Sequence, residues 1–191
     1  MRNHINTLCK SAYAALREIG SLRKYLNAET TERLIHAFVT SRLDQTNSLL
    51  YGLPQSEIRK LQQVQNTAAR IVTRTKSGAH ITPILRSLHW LPVRSRIHYK
   101  IVITVFKALN NLAPEYLRDL LQPSQTNRCL RSASKNLLFQ PRTKTKTYGD
   151  RAFSAAGPRL WNELPHELRT ETSLDGFKSN LKTYIFKKAY E

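Results

Sequence analysis

A chain of 191 residues can bury a hydrophobic core and suits one or two domains. With 40% hydrophobic residues and only 6 Gly and 8 Pro, it is no disordered tail, and no run of about 20 apolar residues could span a membrane. Thirty-one Lys and Arg against 13 Asp and Glu leave a formal charge of +18, with a pI near 10.4. Self-repulsion of that size calls for polyanionic counter-charge, for which nucleic acid is the usual source. Amphipathic helices leave an anionic membrane surface as the competing reading. The start, Met1-Arg2-Asn3-His4, lacks the apolar core of a secretory signal. Cys9 and Cys129 lie far apart without metal-ligand spacing and read as reduced thiols. The expectation is an intracellular protein, nuclear or cytoplasmic, not secreted.

The charge is unevenly spread. Residues 1–76 carry 12 bases and 5 acids, residues 77–126 carry 6 and 2, residues 127–151 carry 7 and 1, and residues 152–191 carry 6 and 5. The last stretch reads as an ordinary packing module, the one before it as a basic arm.

The first 76 residues predict three helices. In the first, Ile5, Leu8, Ala12, Leu16 and Ile19 recur at helical steps, with Gly20 as the stop. The second starts around Thr30-Thr31-Glu32 and puts Leu34, Ile35, Phe38, Val39 and Leu43 on one face. Gly52-Leu53-Pro54 breaks the chain, and a third helix starts at Ser56-Glu57, with Ser as cap and an acid in the first turn. Leu61, Val64, Ala68, Ile71 and Val72 fall on one half-cylinder of that helix. Arg59, Gln63, Asn66, Arg70 and Arg74 line the other side, in a stripe about 60° to 80° wide. No acid occurs in residues 58–76, so the stripe suits a phosphate backbone or the shallow groove of an RNA-containing duplex, although a solvated face would look alike. Lys76 extends it.

Thr82-Pro83 and Pro92 mark two further helix starts. Val93, Ile97, Ile101, Val105 and Leu109 keep helical spacing, and the length of the run favours a buried helix over a strand. Arg96, Lys100 and Lys107 share one face of it and are candidate phosphate contacts. A short helix follows Pro114. Residues 122–147 lose periodicity and read as a basic linker with a short strand or hairpin around Leu137-Leu138-Phe139. There Arg128, Arg131, Lys135, Arg142, Lys144 and Lys146 could reach phosphates, or the stretch could be a solvated tether. Two helices, residues 151–164 and 173–189, complete the chain, with Trp161, Leu164, Leu174, Phe177, Leu181 and Ile185 as shared core.

Catalytic chemistry has no visible seat. Nucleotidyl transfer needs carboxylates converging on Mg²⁺, and the four Asp (Asp44, Asp119, Asp150, Asp175) are scattered. No phosphate-cradling Gly-rich loop, Gly-x-Ser-x-Gly or His-Glu-x-x-His occurs, and the six His do not cluster with Cys. The chain alone is expected to be no enzyme, with no catalytic residue, metal site or cofactor.

Longer strings carry a resemblance. Ser41-Arg42-Leu43-Asp44, Asn47-Ser48-Leu49-Leu50-Tyr51-Gly52-Leu53-Pro54 and Leu61-Gln62-Gln63-Val64-Gln65-Asn66-Thr67-Ala68-Ala69-Arg70 resemble the region just after the palm in LINE-type, jockey-like non-LTR retrotransposon reverse transcriptases. His80-Ile81-Thr82-Pro83, Leu88-His89-Trp90-Leu91-Pro92-Val93, Tyr148-Gly149-Asp150-Arg151-Ala152-Phe153-Ser154 and Pro158-Arg159-Leu160-Trp161-Asn162-Glu163-Leu164-Pro165 continue it in order to the C-terminal end. At positions 45–46 that family usually shows Tyr-Cys, and Gln45-Thr46 stands here.

The resemblance implies a parent RNA-directed DNA polymerase whose palm, with its Mg²⁺ carboxylates, lies outside this chain. Residues 1–76 would be the thumb that holds template–primer duplex. The expected fold is mainly α: a three-helix thumb-like bundle (1–76), a post-thumb helical segment (77–121), a basic linker or hairpin (122–147) and a C-terminal helical module (148–191). Expected partners are RNA or RNA–DNA hybrid, and the palm and fingers of the same polymerase, with no membrane. A decayed gene fragment with no independent role is the alternative.

Overall fold

The computed structural model describes residues 1–124, 136–145 and 147–191. The chain is mainly helical, and the described residues hold no strand, only one isolated bridge. It divides into two compact units, Met1–Arg96 with Lys188–Glu191, and Ile97–Lys187. The first division falls inside a helix at 96/97, not at the expected 76/77. The reason is packing: Leu85, Trp90, Leu91 and Val93 are buried in the first unit.

In the first unit, helix α1 (Arg2–Leu22) buries Ile5, Cys9, Ala12, Leu16 and Ile19, whose four- and three-residue steps make one stripe. Gly20 is not its stop. The helix runs on to Leu22 and closes where the Arg23 amide bonds the Gly20 carbonyl. Helix α2 (Ala28–Ile35) begins earlier than the Thr30-Thr31 pair suggests. Asn27, in an extended conformation, accepts the Thr30 amide at 2.7 Å through its side chain, and so takes the cap. Thr31 is then inside and wholly buried, its hydroxyl on the Asn27 carbonyl.

A π turn (His36–Thr40) and a short α3 (Ser41–Asp44) follow directly. The wider winding of the π turn carries Phe38 off the buried stripe and into solvent, while Ile35, Val39 and Leu43 stay inside. Thr46 in the left-handed region and Gly52 at φ 69° turn the chain on either side of a 3₁₀ turn (Asn47–Leu50). Helix α4 (Gln55–Thr73) starts after Pro54 without a side-chain cap, so Ser56 does not serve as one. Glu57, buried in its first turn, pairs with Lys60 at 3.0 Å and Arg2 at 3.4 Å.

Two glutamines on α4 tie in the next segment. Gln65, buried, donates to the Leu91 carbonyl at 2.8 Å and accepts from Gln62 at 2.9 Å, and Gln62 accepts the Val93 amide at 2.9 Å. The pair clasps Leu91-Pro92-Val93 and satisfies a first-turn amide of helix α6 (Val93–Leu109). Helix α5 (Ile81–Ser87) precedes it and ends on His89 at φ 54°. Trp90 then donates its indole N–H to Glu32 at 2.9 Å, and the Tyr190 hydroxyl donates to the Trp90 carbonyl.

In the second unit, α6 continues with Ile97, Ile101, Val102, Val105 and Phe106 buried. Helix α7 (Glu115–Asp119) follows Pro114 as expected. Of the expected hairpin, the described residues show a bridge between Pro123 and Leu138, with the Ser124 amide on the Leu137 carbonyl and the Phe139 amide on the Gln122 carbonyl. Asn162 reads Leu138 from the other side as a strand would, accepting its amide at 2.9 Å and donating to its carbonyl at 2.8 Å. The C-terminal part holds helices α8 (Phe153–Asn162), α9 (His166–Arg169) and α10 (Leu174–Tyr190). Phe106 stacks on Phe177 with centroids 4.1 Å apart, and Trp161 lies 5.9 Å from Phe177. Trp161, Leu164, Phe177, Leu181 and Ile185 are buried, and Leu174 is half-buried. A Cβ at Gly157 would sit 3.0 Å from Val105, so glycine there lets α8 and α6 approach closely.

Candidate nucleic-acid interface

Helix α4 is the scaffold of the candidate site. Ile58, Leu61, Val64, Gln65, Ala68, Ala69 and Val72 turn inward, which leaves the opposite arc outside. Arg59 and Gln63 are exposed on that arc, and neither Arg59 nor the exposed Lys76 is held in an ion pair among the described residues. Asn66 is half-buried and accepts from Gln62 at 2.9 Å.

The last two members of the stripe have structural work as well. Arg70 is half-buried and donates to the Ala79 carbonyl at 3.2 Å, bracing the loop that leaves the helix. Its buried Nε has no hydrogen-bond partner among the described residues. Arg74 takes the left-handed cap position at φ 55°, ψ 30°, and donates to the Arg23 carbonyl at 2.8 Å. A side chain committed to a backbone carbonyl keeps its positive charge but loses freedom to follow a phosphate.

Arg23, which the sequence pattern does not single out, organises this corner. Its Nε donates to the Ile71 carbonyl at 2.9 Å, Nη2 to Val72 at 2.8 Å and Nη1 to Leu26 at 2.5 Å. The Ile71 and Val72 carbonyls are among those that the end of α4 leaves without intrahelical partners. Burial, and then the neighbouring Arg74 charge, pull the Arg23 guanidinium below its ordinary range.

The other candidates scatter. Arg96 is not a free cation: its guanidinium clasps the Asp44 carboxylate through both Nε, at 2.8 Å, and Nη2. That takes it from the face it shares with Lys100 and Lys107 in the sequence. In the second unit Lys100, Arg142 and Lys144 are exposed and Lys107 is half-buried. Arg128, Arg131, Lys135 and Lys146 lie outside the described residues.

Charge distribution supplies what side-chain spacing does not. Residues 58–114 contain ten Lys and Arg and no Asp or Glu. Eight of the ten lie in the first unit, where Lys60 meets Glu57 and Arg96 meets Asp44. The other six, Arg59, Arg70, Arg74, Lys76, Arg86 and Arg94, face no carboxylate partner among the described residues. Such a surface can neutralise phosphates without first breaking an internal ion pair. The full length of this acid-free run was readable from the sequence by counting.

Acids are dispersed. Asp44 holds Arg96 and Asn47, Asp150 meets Thr143 and Arg159, and Asp175 meets Lys178. Among the described residues no three His, Cys, Asp or Glu come together as a metal site, and no helix is long and apolar enough to cross a membrane. Cys9 is a free, buried thiol, and burial pushes its pKa up. The chain matches no protein-family model, no curated protein and no solved structure.

Proposed function

We propose that this chain is a non-catalytic nucleic-acid-binding portion of a LINE-type, jockey-like retrotransposon reverse transcriptase, its thumb and post-thumb region. It holds template–primer duplex or element RNA. The observation that carries the binding is the set of six cations between Arg59 and Arg94 with no carboxylate partner among the described residues. Phosphate contacts of this type position a duplex without reading its bases. The parentage rests on the strings from Ser41 to Val93 and from Tyr148 to Pro165.

Fluorescence anisotropy with a labelled RNA–DNA hybrid tests the reading. The exposed pair Arg59 and Lys76 replaced by Ala should weaken binding several-fold and leave the melting temperature unchanged, because both are exposed and neither is ion-paired among the described residues. Equal binding by the double variant and the parent chain would remove α4 from the interface.

A further inference from the structure

The corner where α1 turns toward α2 holds a second, aromatic element. Tyr25 is 75% exposed on the turn between Leu22 and Leu26. An exposed tyrosine on a loose loop would mean little, but this turn is braced on both sides. Arg23 pins it to the Ile71 and Val72 carbonyls and to the Leu26 carbonyl, and Arg74 returns a hydrogen bond to the Arg23 carbonyl. The Tyr25 amide bonds the Leu22 carbonyl at 2.9 Å. The Lys24 ammonium lies over the ring, 4.7 Å from its centroid.

An aromatic ring exposed on a braced turn, with the Lys24 ammonium over one face and the fixed charges of Arg23 and Arg74 in the same corner, combines the two features that single-stranded nucleic acid needs. A base stacks on the ring, and the flanking phosphates meet cations. No carboxylate pairs with Arg23, Lys24 or Arg74 among the described residues. A purely structural role for Tyr25 would place the ring against the core, and it is not there.

We infer that Tyr25 is a stacking platform for an unpaired base, at the point where a strand leaves the duplex bound along α4. This rests on the proposed duplex binding, and it adds a different ligand chemistry: the π face of a base instead of a phosphate.

The test measures anisotropy of the full chain on three RNA–DNA hybrids of equal paired length. One is blunt, one carries a short unpaired RNA extension, and one carries the same extension with abasic nucleotides. The parent chain should prefer the base-bearing extension over the abasic one by roughly five- to a hundredfold, the range that one base–aromatic stack produces. Tyr25→Ala should abolish that preference while binding the blunt hybrid as before, and Tyr25→Phe should retain it. Circular dichroism melting should not change in either variant, since the ring is outside the core. Equal affinity of the parent chain for the base-bearing and abasic extensions would overturn the stacking role and leave duplex binding standing. No salt-sensitive binding to any of the three hybrids would overturn both.

Discussion

Replacing Arg23 by Met keeps the aliphatic stem and deletes the guanidinium that closes α4. Two of its hydrogen bonds end on the Ile71 and Val72 carbonyls, at 2.9 and 2.8 Å, and a third holds Leu26. Hydrogen bonds from charged donors contribute about 1.5–3 kcal/mol when sheltered, and less where solvent screens them. Arg23 is half-buried, so about 1 kcal/mol for each bond to α4 is the appropriate scale. A cation at a helix C-terminus adds about 0.5 kcal/mol. The expected loss is therefore about 2–3 kcal/mol, read as a lower urea midpoint with unchanged slope in far-ultraviolet circular dichroism. Arg23→Lys should recover about half, because an ammonium cannot reach the α4 carbonyls and the Leu26 carbonyl together as the fork of Arg does. A change below about 0.5 kcal/mol for Arg23→Met would refute the clamp.

Three further outcomes follow from the same packing. Arg74→Gly should hold or raise stability by up to about 1 kcal/mol, since glycine suits the left-handed cap, yet weaken hybrid binding in anisotropy through the lost charge. Gln65→Leu should cost about 1–3 kcal/mol in urea denaturation, because it strands the buried Leu91 carbonyl and leaves the half-buried Gln62 amide with Asn66 as its remaining acceptor. Burial pushes the Tyr190 hydroxyl from 10.0 up to about 12, so its protonated form is favoured in the folded chain. The stability it contributes is complete below pH 10 and fades as pH rises toward 12. The melting-temperature advantage of the parent chain over Tyr190→Phe should accordingly shrink between pH 9 and pH 11, and a constant difference would contradict the assignment.

Periodicity made the helices legible where one face is buried and the other is wet. The inward residues of α1 and α4 repeat at three and four, and the structure buries them in that order. The basic stripe on α4 was visible for the same reason. Side chains that leave their own helix were not. Arg23 reaches residues 48 and 49 positions away, Arg74 returns over 51, and Asp44 meets Arg96 across 52. No local pattern marks those partners, so Arg96 reads as a free cation and Arg23 does not stand out. Phe38 misleads differently: its spacing fits an α-helix, and the π turn around it changes the winding. Asn27 precedes two threonines that look like better starts, and only its extended backbone gives it the cap.

In the proposed role the cations between Arg59 and Arg94 bind nucleic acid through its phosphates. The most direct measurement is the dissociation constant of the full chain for an RNA–DNA hybrid across a salt series. Each neutralised phosphate contributes roughly 0.9 to the slope of log K against log salt. With Arg59, Lys76, Arg86 and Arg94 all exposed, the log of the dissociation constant is expected to rise against log salt with a slope of about +3 or steeper. A slope near zero, or no binding at low salt, would contradict the account.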